Sequence, residues 1–303
     1  AVGAFRAGCS VDGHRMEMMI LPENHFGERP PPLGELSPLR GFIEGNDLFA
    51  SLLADKTLRY MHRQDRFDAR SLAMLLRWAY KGPGLDAGLF VASLPDRQGV
   101  VILPPLGELT RLLSEDEINI ELDHRRYTML GHAGATSLGS WLFKWEMAGE
   151  ILRNYNTGDP KATIPSLDVQ RGTLLTGMLG ITYGGFADTQ LTLEAQRGVF
   201  IDRPDDLLFP VDAPIFAARA MHRALRERLT LLGVATAIGL TAQYGWLARA
   251  EATYKLEEFI TGFQVTLGYV HYSPGDPDEF SPFYGFDAHD RVFARLRWDF
   301  TAL

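Results

Sequence analysis

The residues of this chain that could do chemistry are charged side chains spaced two apart. Near the C-terminus Arg249, Glu251 and Lys255 alternate with Trp246, Ala248, Ala250, Ala252 and Tyr254. Further on, Arg291, Arg295, Arg297 and Asp299 alternate with Val292, Ala294, Leu296 and Trp298. Successive side chains of a strand point to opposite faces, so each segment pairs an apolar face with a charged one. The same alternation sets Arg77 and Lys81 against Leu76, Trp78 and Tyr80, and Lys144 and Glu146 against Trp141, Phe143, Trp145 and Met147. It sets Glu194 and Gln196 against Leu191, Leu193 and Ala195, and Arg219 and Arg223 against Phe216, Ala218 and Ala220. Arg15 and Glu17 belong to the same series, in which bases outnumber acids. Charges ringing a water-filled passage tune what passes, and a basic excess favours anions or the acidic head of an amphiphile. The alternative is that neighbouring Arg and Glu, such as Arg249 or Glu251 with Arg295, pair across strands and hold the sheet.

Other chemistry finds little support. His222, His271 and His289 lie near strand ends, and no serine near them sits in a nucleophile elbow. The loop acids Asp276, Asp278, Glu279, Asp287 and Asp290 lack the spacing of a calcium loop and read as a solvated segment. Cys9 stands alone, which excludes a disulfide framework or thiolate cluster, and no phosphate-cradling glycine motif appears. No catalytic residue, metal site or cofactor is therefore expected. The net charge of −8 argues against nucleic acid as a partner. No apolar run approaches the ~20 residues of a membrane helix.

The elements that must position these charges are strands. Segments at 14–21, 71–81, 85–93, about 123–131, 140–150, 173–183, 190–198, 215–224, 229–240, 246–256, 263–269 and 291–300 read as β, after a partial strand at Val2, Ala4 and Arg6. Short turns at Gly82, Ala133–Gly139, Gly184–Asp188, Leu225–Arg228 and Leu256–Phe259 alternate with longer links, the Thr241–Gln243 link being the exception. Segregation of loop length by parity is the habit of outer-membrane barrels, and a β-sandwich has no reason to show it. Aromatics toward strand ends on the apolar face, Trp246, Tyr254, Tyr269, Trp298 and Phe300, suit an interfacial girdle. The link after Leu21 carries Pro30, Pro31 and Pro32, then helical spacing of Phe49, Leu52, Leu53 and Lys56, which predicts a helix over about 47–64. That helix would be a plug within a pore or a lid over its outer mouth. A second short helix is expected near Leu109, Leu112 and Leu113.

The runs RLTLLGVATAIGLTAQYGWLARAEATYKLEEFITGFQVTLGYVHY and GDPDEFSPFYGFDAHDRVFARLRWDF, with WLFKWEMAGEIL and LGITYGGFADTQLTLEAQ, resemble a large family of proteobacterial outer-membrane barrels of unknown function. The resemblance covers most of the chain and rests on strand pattern and loop order. It implies neighbourhood with RND-type exporters and a periplasmic lipid-binding partner, and hence traffic in lipids or hydrophobic compounds. It also implies a C-terminal aromatic read by barrel-assembly machinery; Phe300 takes that place, though Thr301, Ala302 and Leu303 follow it. Family members are longer, and together with the strand pattern at the first residues this implies an N-terminally truncated fragment.

The sequence thus predicts an all-β chain, one antiparallel transmembrane β-barrel domain over 1–303 with about 12 or more strands and long extracellular loops, in the bacterial outer membrane. The expected activity is that of a channel or transporter for small or amphiphilic molecules, its lumen lined by Arg77, Lys144, Glu146, Glu194, Arg219, Arg249, Glu251, Lys255, Arg291, Arg295 and Arg297. Alternatives are a plugged binding or export-accessory barrel, and a barrel-type lipid hydrolase. Expected partners are outer-membrane lipid, barrel-assembly machinery, and an RND-type exporter or periplasmic lipid-binding protein.

Overall fold

A computed structural model describes residues 4–22, 26–27, 29–34, 37–65, 71–103, 114–159, 167–256, 261–276, 281–283 and 286–299. The strands in chain order are β1 (Phe5–Val11), β2 (His14–Leu21), β3 (Thr57–His62), β4 (Ala73–Gly82), β5 (Leu85–Pro95), β6 (Val100–Ile102), β7 (Glu117–Asp123) and β8 (Arg126–Leu138). They continue with β9 (Trp141–Thr157), β10 (Asp168–Phe186), β11 (Thr189–Phe200), β12 (Ile215–Ala224), β13 (Leu229–Ile238), β14 (Trp246–Lys255), β15 (Phe263–Ser273) and β16 (Arg291–Trp298). Two short helices, α1 (Pro38–Glu44) and α2 (Asp47–Leu53), lie between β2 and β3.

Thirteen strands form one sheet in the order β1-β2-β4-β5-β8-β9-β10-β11-β12-β13-β14-β15-β16, and β3-β7-β6 form a separate three-stranded sheet. The all-β antiparallel class expected from the alternation is borne out, with the partial first strand and twelve more. Sequential strands pair because short turns join them. Asp12 and Gly13 link β1 to β2, and three successive residues at positive φ, Leu225, Arg226 and Glu227, link β12 to β13. Long connections alternate with short ones except between β13 and β14, where 239–245 is no longer than 256–262 after β14, and the longest connection carries α1, α2 and β3.

The described residues fall into two compact units. Unit one holds 1–134, 146–177 and 198–212, and so contains β1, β2, β4, β5 and the three-stranded sheet; unit two holds 135–145, 178–197 and 213–303, with β12 to β16.

The helix expected over 47–64 is a correction. The helix α2 stops at Leu53, and Thr57–His62 is β3, pairing in parallel with β7. The reason is tertiary: Leu58 on β3 is opposite Ile118 of β7, Tyr60 is opposite Ile120 and His62 opposite Leu122, and Leu58, Ile118, Ile120 and Leu122 are all buried. Burial of this period-two set prevails over weak helical spacing. The strand β9 is also longer than the expected 140–150, running to Thr157 through a residue at positive φ, Leu152. The expected helix near Leu109 lies outside the described residues, as does Phe300.

The core is inverted relative to a water-soluble sheet. Leu179 is 70% exposed, Leu296 67% and Val292 79%, whereas Thr266 is 6% exposed and Thr182 4%. On β10 and β15 the apolar face is open and the polar face is the sheltered one.

Candidate functional site

Register assigns the charged side chains to the sheltered face. In antiparallel pairing, residues directly opposite share a face. In unit two, Arg249 is opposite Val234 and Val270, Glu251 opposite Leu232 and Gly268, and Lys255 opposite Gln264. Arg295 is opposite Thr266 and Arg297 opposite Gln264, while Arg291 is opposite Val270. Arg219 lies between Thr192 and Val234, and Glu194 is opposite Ala217. The partners on the other face are Ala248, Ala250, Leu267 and Tyr269, which belong to the apolar set.

Within this face the acids are held by bases. The Lys144 ammonium reaches Glu194 at 3.5 Å across Gly180, where a Cβ would stand 3.2 Å from the Glu194 side chain. Arg249 forms an ion pair with Glu251 and also lies over the Phe293 ring, 5.4 Å from its centroid; Arg295 approaches the same ring at 5.9 Å. That ring lies against Gly268, where an added Cβ would fall 2.3 Å from a ring carbon, so only glycine leaves it room. Arg297 donates to Asp299 at 2.9 Å. In place of the expected pair of Arg249 or Glu251 with Arg295, both guanidiniums approach the Phe293 ring.

In unit one, Glu17 gathers three arginines: Arg6, Arg15 at 2.9 Å and Arg77 at 3.9 Å. Its side chain is 10% exposed, so a carboxylate here needs such partners. Glu146 is exposed and takes the parity of Lys144 on β9, opposite in face to Phe143 and Met147.

A second constellation in unit one was not singled out in the sequence. Arg153, near the end of β9, donates to Asp96 at 3.0 Å through Nε and to both oxygens of Glu150 at 2.9 and 2.8 Å. The Tyr155 hydroxyl also donates to Glu150, at 3.1 Å. Asp96 in turn accepts the backbone N–H groups of Gln98 and Gly99. Asn156 acts as a one-residue strand partner for β6: its Oδ1 accepts from Val101 N–H at 2.9 Å and its Nδ2 donates to the Val101 carbonyl at 2.7 Å. These contacts fasten the three-stranded sheet to the long-loop ends of β5 and β9.

Beside them stands a histidine pair. The His124 Nδ1 lies 2.7 Å from the Asp96 carbonyl, which only accepts, so Nδ1 carries the proton. The neutral ring then offers Nε2 to His62 Nδ1–H at 2.8 Å. Phe26 stacks on both rings, at 4.0 Å from His124 and 4.8 Å from His62. Burial holds His124 below its ordinary value, partly offset by the Asp96 carbonyl. Gly99, at φ +68°, is required here because a Cβ would meet the His124 ring at 2.9 Å. Next to this cluster a cavity of about 180 Å³ is lined by Arg29, Tyr60, Asn154, Leu174, Leu208 and Phe209 among others. Asn154 is 7% exposed and its Nδ2 has no partner among the described residues.

Of the expected chemistry, His271 bonds Asp290 at 2.6 Å and His222 bonds Thr189 at 2.8 Å. Both contacts are structural, tying strand ends. No helix of the described residues is long and apolar enough to cross a membrane.

The class defined by these observations is an all-β antiparallel sheet with an open apolar face and a sheltered, mostly basic polar face. Comparison with known proteins gives no matching family model and no matching curated protein. Among solved structures the chain is similar to a triple mutant of Rh. blastica porin, at 11% identity and TM-score 0.45, covering 98% of this chain and 77% of that one. It is also similar to a loop-deletion mutant of OmpT, an outer membrane protein of Vibrio cholerae, at 8% identity and TM-score 0.43, covering 88% and 72%. The Pseudomonas putida toluene transporter TodX matches at 9% identity and TM-score 0.35, covering 88% and 76%.

Proposed function

We propose that the chain is a bacterial outer-membrane β-barrel acting as a channel or transporter for small anionic or amphiphilic molecules. The observation that carries this reading is the inversion of the sheet. Leucines at 57–70% exposure, such as Leu267, Leu193 and Leu179, would drive aggregation in water but are at home against lipid tails. The sheltered polar face would line the lumen. Its acids Glu17, Glu194 and Glu251 are neutralised by bases, which leaves Arg219, Arg291 and Arg295 to set the sign of the field. Transport is passive or coupled to an RND-type exporter and a periplasmic lipid-binding protein, as the family resemblance implies, with assembly by the barrel machinery. No catalytic step belongs to this reading.

The test is single-channel conductance of the refolded chain in a planar bilayer under a salt gradient. Steady steps with a reversal potential favouring the anion are expected, and a cation preference refutes the basic-lumen assignment. A second reading, a plugged or export-accessory barrel, draws on the three-stranded sheet fastened by Arg153 and Asn156. It predicts a silent barrel that conducts once 47–64 are deleted.

A further inference from the structure

A recess of about 410 Å³ in unit one is lined by Arg63, Gln64, Asp123, His124, Arg125, Arg126 and Arg171. Four guanidiniums face a single carboxylate in this lining, and that carboxylate is already satisfied. Asp123 is 3% exposed and accepts from Gln64 Nε2 at 2.6 Å and from Arg125 Nε at 2.8 Å. Arg126 donates to the Leu72 carbonyl and to Ser93, which fixes its position in the lining. Arg63 and Arg171 are exposed.

The placement of these arginines says which anion they meet. Arg126 opens β8 and shares parity with Leu130, 45% exposed on the apolar face; Arg171 shares parity on β10 with Leu175, 46% exposed. Each arginine precedes its leucine by four residues, about 9 Å along the membrane normal at ~3.3 Å per residue and ~45° tilt. Both therefore stand one step above the apolar band, on its outward side, at the long-loop end. Long loops lie on the extracellular side of such barrels, so this is the level of outer-leaflet headgroups.

We propose that this recess seats the phosphate of an outer-leaflet lipid, with the acyl chains running down the apolar face past Leu130 and Leu175. The proposal rests on the membrane-spanning reading above. Guanidinium forks match phosphate oxygens in geometry and charge, and Arg63 and Arg171 close the recess over the ligand.

The test uses the full chain refolded in detergent micelles and native mass spectrometry of retained lipid. Phosphatidic acid, a phosphate monoester, is titrated against phosphatidylcholine, and inorganic phosphate is titrated separately. Retention of phosphatidic acid over phosphatidylcholine is expected. Arg63→Gln with Arg171→Gln should weaken it about ten- to a hundredfold, the span of one or two charge-assisted hydrogen bonds. Arg171→Gln alone, on an exposed side chain, should fold normally and show about a tenfold loss on the same scale. Equal retention of both lipids, or no change in either variant, overturns the proposal. Inorganic phosphate binding as tightly as phosphatidic acid overturns the lipid source and makes the recess a free-anion site. Flotation with phosphatidylcholine vesicles separates the two levels: a chain that floats without phosphate preference defeats this inference alone, and one that fails to float defeats the membrane reading and this inference with it.

Discussion

A single arginine placed on either face of the sheet distinguishes a lipid-facing surface from a water-facing one. Leu179 on β10 is 70% exposed and lies four residues before Tyr183, which stands near the short turn and packs against Trp141 at 4.4 Å. Four residues at ~3.3 Å, tilted ~45°, place Leu179 about 9 Å from that aromatic level. The apolar band of an outer-membrane barrel is about 25 Å tall, so Leu179 sits close to its middle. Leu179→Arg should then cost about 2–4 kcal/mol, the penalty for a lipid-facing arginine at the midplane. That is about a 30- to 1,000-fold change in the folding equilibrium. On a water-facing surface the same exposed substitution would stay within about 0.5 kcal/mol. The control is Gln196→Arg on β11, whose register with Ile215 puts it on the polar face. Equilibrium unfolding in urea, followed by tryptophan fluorescence in phospholipid vesicles, should show a large loss for the first variant and little for the second. Equal stability of the two refutes the assignment of faces and with it the membrane reading.

Reversing Arg295 and Arg297 to Glu should convert anion preference to cation preference in the salt-gradient measurement; unchanged selectivity would show that these side chains do not set the field. Asn156→Ala leaves the N–H and carbonyl of Val101, itself 5% exposed, without their partner. At about 1–3 kcal/mol per orphaned group, amide exchange at Val100–Ile102 should accelerate while β12 to β16 are unaffected. The Asp290 carboxyl is held down to about 2 by the His271 ring, the Tyr272 N–H and the Tyr269 hydroxyl. Its folded value lies below the unfolded one near ~3.9, so its contribution is full above about pH 4 and disappears as pH falls through about 2. Wild type and Asp290→Asn should therefore differ in stability at neutral pH and converge in strong acid. His124, also held below its ordinary value, acts in the same direction at higher pH: the unfolded chain takes up the proton first, so stability falls as pH drops below about 6.5. Exchange at β6 should quicken over that range, and His124→Gln should remove the dependence.

Much of the sheet was legible because a strand with one wet and one apolar face writes its period into the sequence. Trp246 to Tyr254 and Val292 to Trp298 could be read directly, as could the turn at Leu225–Arg228. The alternation of Glu117, Ile118, Asn119, Ile120, Glu121 and Leu122 was equally readable, yet it falls inside what looks like a long loop. The helical spacing over 47–64 misled for a related reason. Seven residues of helix and six of strand lie close together in that stretch, and which one Thr57 to His62 joins depends on Ile118 and Ile120, some sixty positions away.

The sequence by itself determined which side chains share a face, since parity along a strand is local geometry. It also determined where the chain turns, because short and long links are visible in its punctuation. Only the tertiary structure decided which charges meet. Glu17 collects Arg6 and Arg77 from the neighbouring strands β1 and β4, Lys144 reaches Glu194 over Gly180, and Arg63, Arg126 and Arg171 line one recess. Those encounters depend on register and on which strands become neighbours, quantities set by pairing between distant segments that no period in the sequence records.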